Sequence, residues 1–284
     1  MRKIAQRWPA TKTRSLLLAA ALSSCLGPRL PIAPRGEQVL GVRGLVEGGP
    51  FALGRADLAG LPRSAFLGLD PATGREARYE GVALGLLVTD RVERQPGVDT
   101  VVVESADGLR LPLPVTLARE RQVLLADRID GAEAPLQLAW PNRAQPGLDR
   151  DPRGALAWAH GVVALDLVRW RATWGRALAA PVGSSDQARR GAGQYGLRCS
   201  PCHALHGVGG RRGPALDGAP GRLGLEPFLV AVRAHPGWTA LLGAELTPDA
   251  EVLGELTAFL GAAEVAGEPA PQEPLSRERA GRRP

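Results

Sequence analysis

The sequence predicts two folded units of different class, a sheet-rich α+β domain over residues 38–180 and then a small all-α domain over residues 185–263. Short Val- and Leu-rich runs of five to nine residues, broken by turn chemistry, fill the first unit and read as strands. In the second unit apolar residues recur at helical spacing instead. Between the two, Ala180-Pro181-Val182-Gly183-Ser184-Ser185 has the composition of a linker. A length of 284 residues suits about two domains, and an apolar fraction of 44% can give each a core.

Residues 1–24 precede both units and have three parts. A basic stretch with Arg2, Lys3, Arg7, Lys12 and Arg14 leads into the apolar run Ser15–Leu22, which is followed by Ser23 and Ser24. That is the organisation of a signal peptide. The run of about eight apolar residues falls well short of the about 20 that span a bilayer. Leu22-Ser23-Ser24-Cys25 resembles the lipobox of bacterial lipoproteins. The resemblance implies an exported chain whose first mature residue is an acylated Cys25, holding the protein on the periplasmic side of a membrane. The alternative is an ordinary secretory signal cut nearby, with Cys25 left as a thiol. Residues 25–37 are proline-rich and polar, and form the tether.

The formal charge of +6 suggests an acidic partner until it is located. Five basic residues and no acid lie in the leader, so the rest of the chain carries +1 and has no lysine. Nucleic-acid binding needs a clustered basic face, and none is visible.

In the first unit, strands are expected at Val39–Val46, Ala65–Leu69, Thr100–Glu104, Leu109–Leu113, Gln122–Ala126, Leu136–Trp140 and Val162–Trp170. Asp70-Pro71-Ala72-Thr73-Gly74 and Ser105-Ala106-Asp107-Gly108 are turns, and the second closes a hairpin. Helical pieces are expected at Arg55–Leu61, after a short strand, and at Ala83–Val92. Asp70, Glu80, Asp107 and Asp130 read as turn and surface acids, and His160 as a core or edge histidine. Trp140, Trp158, Trp170 and Trp174 cluster where the first unit ends, as expected of core or of a seam to the second. Pro141–Arg153 reads as a surface loop.

In the second unit Ser185 caps a helix through Ala188, Ala192 and Tyr195, which runs into Cys199-Ser200-Pro201-Cys202-His203. Two thiols three residues apart, with an imidazole directly after, form the haem c attachment pattern. Cys199 and Cys202 form thioethers to the haem, and His203 is the proximal iron ligand. A disulfide, a thioredoxin-like pair and half of a zinc site are the other readings of two close cysteines. A zinc site needs a second close pair, which the sequence lacks. Further helices are expected over Glu226–Arg233 and, after Thr247-Pro248-Asp249, through Val252, Leu256 and Phe259. Residues 264–284 are rich in proline, glutamate and arginine, as in a disordered tail.

With its leading helix, attachment motif, Gly207, Gly209 and Gly210, the Gly213-Pro214 step and a closing helix, the second unit resembles a class I cytochrome c. The resemblance implies that the Pro214 carbonyl binds His203 and that the first and last helices cross at Gly191 and Phe259. It also implies a methionine as second axial ligand, but Met1 is the chain's one methionine. His206 is too near His203 in sequence to reach the opposite haem face. The sixth position then falls to His235, to water or an open site, or to a group of the first unit such as His160.

The first unit resembles the molybdopterin-binding domain of sulfite-oxidase-type oxidoreductases. Phe51-Ala52-Leu53, Leu61-Pro62-Arg63, Tyr79-Glu80-Gly81-Val82, Ala106-Asp107-Gly108, Leu124-Leu125-Ala126 and Trp140-Pro141 carry the likeness. That family holds molybdenum partly through a cysteine thiolate, and no cysteine lies between Leu26 and Arg198. The expectation is therefore a family scaffold without molybdopterin, and a monohaem electron carrier that serves a redox protein partner and has no catalytic residue of its own. A molybdenum oxidoreductase with a fused haem acceptor, and a haem-based ligand sensor with an open sixth site, are the alternatives.

Overall fold

The computed structural model describes residues 34–150, 158–235 and 248–266. Cys25, the leader, most of the tether, Trp238 and the tail from residue 267 lie outside the described residues. The chain is mixed α/β and sheet-rich, with two sheets in its first part. Strands β1 (Gln38–Gly44), β2 (Phe51–Gly54), β5 (Thr100–Ser105), β6 (Arg110–Pro114) and β9 (Val162–Val168) form one sheet in the order β2-β1-β9-β5-β6. Strands β3 (Arg63–Asp70), β4 (Arg75–Ala83), β7 (Leu124–Ile129) and β8 (Ala132–Ala139) form the other in sequence order. Only the β1–β9 pair is parallel among the described strands, so β9 returns from the far end of the unit to the middle of the first sheet.

Short helices connect the strands: α1 (Arg55–Ala59), α2 (Leu84–Leu86) with a π turn over Leu87–Arg91, and α3 (Val115–Glu120). Asp57 fixes the start of α1 by accepting from the Gly54 N–H at 2.9 Å and the Arg35 N–H at 2.8 Å. The last residues of the expected tether are thus bound to the fold. Burial pulls the Asp57 carboxyl upward, but the side-chain and backbone bonds from Arg35, with that from Gly54, hold it below the usual carboxylate range.

Several expectations shift at their edges. The predicted helix over Ala83–Val92 divides into the α2 turn and the π turn. The strand expected to reach Trp170 stops at Val168 and gives way to a 3₁₀ turn over Trp170–Ala172 and helix α4 (Trp174–Ala177). Strand β4 and helix α3 are additions, and residues 264–266, placed in the tail by sequence, complete the last helix.

The remaining described residues form helices α5 (Asp186–Arg198), α6 (Ala219–Leu223), α7 (Leu225–Arg233) and α8 (Ala250–Ala266), with a two-residue ladder of β10 (Ala204–Leu205) and β11 (Val208–Gly209). The Ser185 hydroxyl accepts from the Ala188 N–H at 3.2 Å and caps α5. Tyr195 and Phe259 meet at 5.6 Å where α5 crosses α8. A β-carbon on Gly191 would lie 1.9 Å from the Glu255 carbonyl oxygen and 2.8 Å from the Phe259 β-carbon, so only glycine permits this approach.

Two hydrophobic cores hold the chain, and the boundary between them does not coincide with the linker. The first draws Leu40, Val101, Val103, Leu125, Leu138 and Trp140 from both sheets. The second joins Tyr195, Phe228, Leu256 and Phe259 of the helices to Val102 of β5, Val168 of β9, Trp174 and Leu178. Successive β5 side chains point to opposite faces, so Val101 and Val103 enter the first core while Val102 enters the second. Every β5 residue is buried, as expected of a strand covered on both sides.

Gly191→Ala should lower the stability of the full chain by about 1–3 kcal/mol through overpacking. Urea denaturation followed by circular dichroism reads the change, and an unaltered midpoint would contradict the helix crossing.

Candidate haem-attachment site

Helix α5 delivers the attachment motif to a fixed place. Its last turn continues into the loop, with the Cys199 and Ser200 N–H groups both donating to the Tyr195 carbonyl at 2.9 Å. Cys202 and His203 then donate to the Cys199 carbonyl at 3.0 and 2.8 Å, so the two thiols and the imidazole share one tight turn. Tyr195, buried at the helix crossing, donates its hydroxyl to the His203 carbonyl at 3.1 Å. Gly210 bonds the Ser200 carbonyl and Gly213 the Cys202 carbonyl, each at 2.8 Å, folding the glycine-rich segment back onto the motif.

His203 Nδ1 lies 2.8 Å from the Pro214 carbonyl oxygen. A carbonyl can only accept, so the proton sits on Nδ1 and the Nε2 lone pair is left for a metal. Gly213 makes room for the ring, since a β-carbon there would lie 2.2 Å from the His203 Cε1. The His235 ring faces that of His203, with centroids 5.6 Å apart and planes inclined at 68°. Both rings are half-buried. Burial, followed by the nearby His203, lowers the His235 pKa and favours the neutral ring that metals bind.

The thiols are free and protonated. Burial pushes Cys199 up to about 12 and also raises Cys202. A thioredoxin-like pair needs a lowered pKa, so this pair is not poised for thiol exchange. Among the described residues no three His, Cys, Asp or Glu side chains converge as a metal-ion site. Two unoxidised thiols, one imidazole nitrogen outside the Pro214 bond and a second imidazole with its centroid 5.6 Å away fit the donor set of a covalently held haem.

The other sequence candidates separate from this cluster. His206 donates its N–H to Asp217 at 2.7 Å and turns its ring toward the Ala177 carbonyl, 3.3 Å from Nδ1. His160 Nε2 lies 2.8 Å from Asp70 Oδ2. Asp70 is not a surface acid: it is 4% exposed, and it also accepts from the Ala72 N–H at 2.9 Å. Glu80 pairs with Arg63 at 3.0 Å, and Asp130 accepts from the Arg78 N–H at 2.8 Å. Trp140 and Trp158 lie in the first core, while Trp174 lies in the second, stacked on Trp170 at 6.2 Å.

The structure also brings in residues that no sequence pattern singles out. The Arg110 N–H of β6 donates to the carbonyl of Pro201, between the two cysteines, at 2.9 Å. Its guanidinium lies 5.5 Å from the Trp174 ring centroid, a cation–π contact, and its Nε bonds Glu104 at 2.6 Å. Burial would raise the Glu104 carboxyl, but Arg43 and Arg110 hold it below the ordinary range. Asp166, in the same cluster, is shifted upward because burial outweighs those two arginines.

The Asp70–His160 pair makes stability depend on pH in two directions. Burial pulls the Asp70 carboxyl up, but the His160 and Ala72 bonds hold it below its usual value, so its contribution fades as the solution is acidified below about 4. The bond to Asp70 raises His160, so its contribution is complete below about 6.5 and fades as the pH rises through the higher folded-state value. His160→Gln should therefore destabilise the chain more at pH 5.5 than at pH 8.5 in paired urea melts. An equal loss at both values would contradict the pairing.

No protein-family model matches the chain, and no curated protein matches it either. Among solved structures, the sulfane dehydrogenase SoxCD from Paracoccus pantotrophus aligns with 46% of this chain at 19% sequence identity and a TM-score of 0.33. The alignment covers 38% of that chain, and a similarity of this size supports no functional argument.

Proposed function

We propose that the protein is a monohaem c-type cytochrome that passes single electrons. In this reading Cys199 and Cys202 form the thioethers, His203 is the proximal ligand and His235 the distal one. The observation that carries it is the opposed imidazole pair beside two free thiols. Two imidazoles sharing one ion through metal–nitrogen bonds of about 2 Å have ring centroids within about 1 Å of the 5.6 Å found here. A haem at this site supplies one-electron iron chemistry, at a lower potential with two histidines than with His/Met ligation. The chain's own part is to orient. Pro214 fixes the tautomer of His203, Tyr195 holds its carbonyl, and the buried turn sets the spacing of the sulfurs.

The residues 185–263 then form a cytochrome c domain, and residues 38–180 a sulfite-oxidase-like scaffold that positions it and docks a partner. With no thiolate available from Leu26 to Arg198, the scaffold works without molybdopterin. The leader and Cys25 make the protein an exported lipoprotein at the periplasmic face of a bacterial membrane. Its partner is a second redox protein.

The reading is tested by absorption spectroscopy on the full chain matured where c-type haem is attached. Wild-type protein should be low-spin in both oxidation states, and His235→Ala should become high-spin and bind carbon monoxide when reduced. A wild-type spectrum that is already high-spin would favour the open-site sensor over the electron carrier.

A further inference from the structure

The sheet unit does more than sit beside the attachment loop. Its β5–β6 hairpin reaches the loop at three places. The Arg110 N–H bonds the Pro201 carbonyl at 2.9 Å, the Gly108 carbonyl accepts from the Arg211 N–H at 2.8 Å, and Asp107 Oδ2 lies 3.2 Å from Arg212 Nε. Cys202, which ends the thiol pair, packs against the core of the sheet unit. Asp107 is itself held by the Ser105 hydroxyl and by the Leu109 N–H at 3.2 Å, so it is a fixed anchor for the guanidinium.

We infer that the Ser105–Gly108 turn is a built part of the haem site, in which Asp107 holds the Arg212 guanidinium beside the Cys202 sulfur so that its positive charge raises the reduction potential. The inference rests on the haem reading given above. Arg212 stands between Arg211, which donates to the Gly108 carbonyl, and Gly213, which donates to the Cys202 carbonyl at 2.8 Å, so the chain holds it next to Cys202 while Asp107 holds its guanidinium. A cation fixed near the ring favours the reduced iron, which carries one positive charge fewer than the oxidised iron. Local charge, hydrogen bonding and burial are the means by which a protein sets such a potential. Arg212 is thus a positioning and tuning residue that acts on the haem without ligating it.

Potentiometric titration of the holoprotein, full chain, tests this. Arg212 is well exposed, so Arg212→Gln leaves the packing of both cores in place. The variant should keep the wild-type absorption spectrum while its midpoint falls. The expected fall is up to about tenfold in the ratio of reduced to oxidised protein at a fixed potential, or about 59 mV for one electron. Arg212→Lys should keep most of the wild-type midpoint, because it keeps the charge. An unchanged midpoint in Arg212→Gln, or an equal fall in Arg212→Lys, overturns the inference while the haem reading stands. A wild-type chain without covalent haem overturns both.

Discussion

The arrangement depends on one strand being covered on both faces. Strand β5 sends Val101 and Val103 into the core between the two sheets and Val102 into the core of the helices. Val102 has no measurable exposure, and burying a valine side chain stabilises a fold by roughly 1.5–3 kcal/mol. The helical segment completes its core only with Val102, Val168, Trp174 and Leu178, all of which precede the linker. Two units that look separable in the chain are therefore packed as neighbours across a common sheet.

That packing fixes the chemistry. The hairpin that contributes Val102 continues directly into the Ser105–Gly108 turn and then into Arg110, the backbone donor to Pro201. Burial keeps both thiols protonated, while the Pro214 carbonyl settles which nitrogen of His203 is available. The site is accordingly poor at thiol exchange and holds the His203 ring in a fixed orientation near the His235 ring. A haem bound there would be held by residues from both parts of the chain.

Much of this is legible in the sequence. Val101-Val102-Val103 and Leu109–Leu113 announce a hairpin, Ser185 announces a helix start, and the Cys-Ser-Pro-Cys-His run announces that two thiols and an imidazole lie close together. Strand β4 is missed because Arg75–Ala83 has one branched apolar residue, Val82, beside the buried Ala77, Tyr79 and Gly81, and its strand geometry comes from pairing with both β3 and β7. Helix α3 is six residues long, too short for a periodicity to appear. Asp70 sits in turn chemistry, and only the fold shows it buried against His160. The Asp107–Arg212 pair has no local signal at all, since tertiary packing alone brings the two residues together. The unbroken run of three valines does hint at a strand buried on both sides, and so at the seam.

The central claim is that Cys199 and Cys202 carry a haem. Denaturing mass spectrometry of the full chain, produced in a bacterium that assembles c-type cytochromes, tests it most directly. The account predicts one haem retained on the unfolded protein and assigned to the peptide containing Cys199 and Cys202. A chain of unmodified mass, with both thiols open to alkylation, would contradict it.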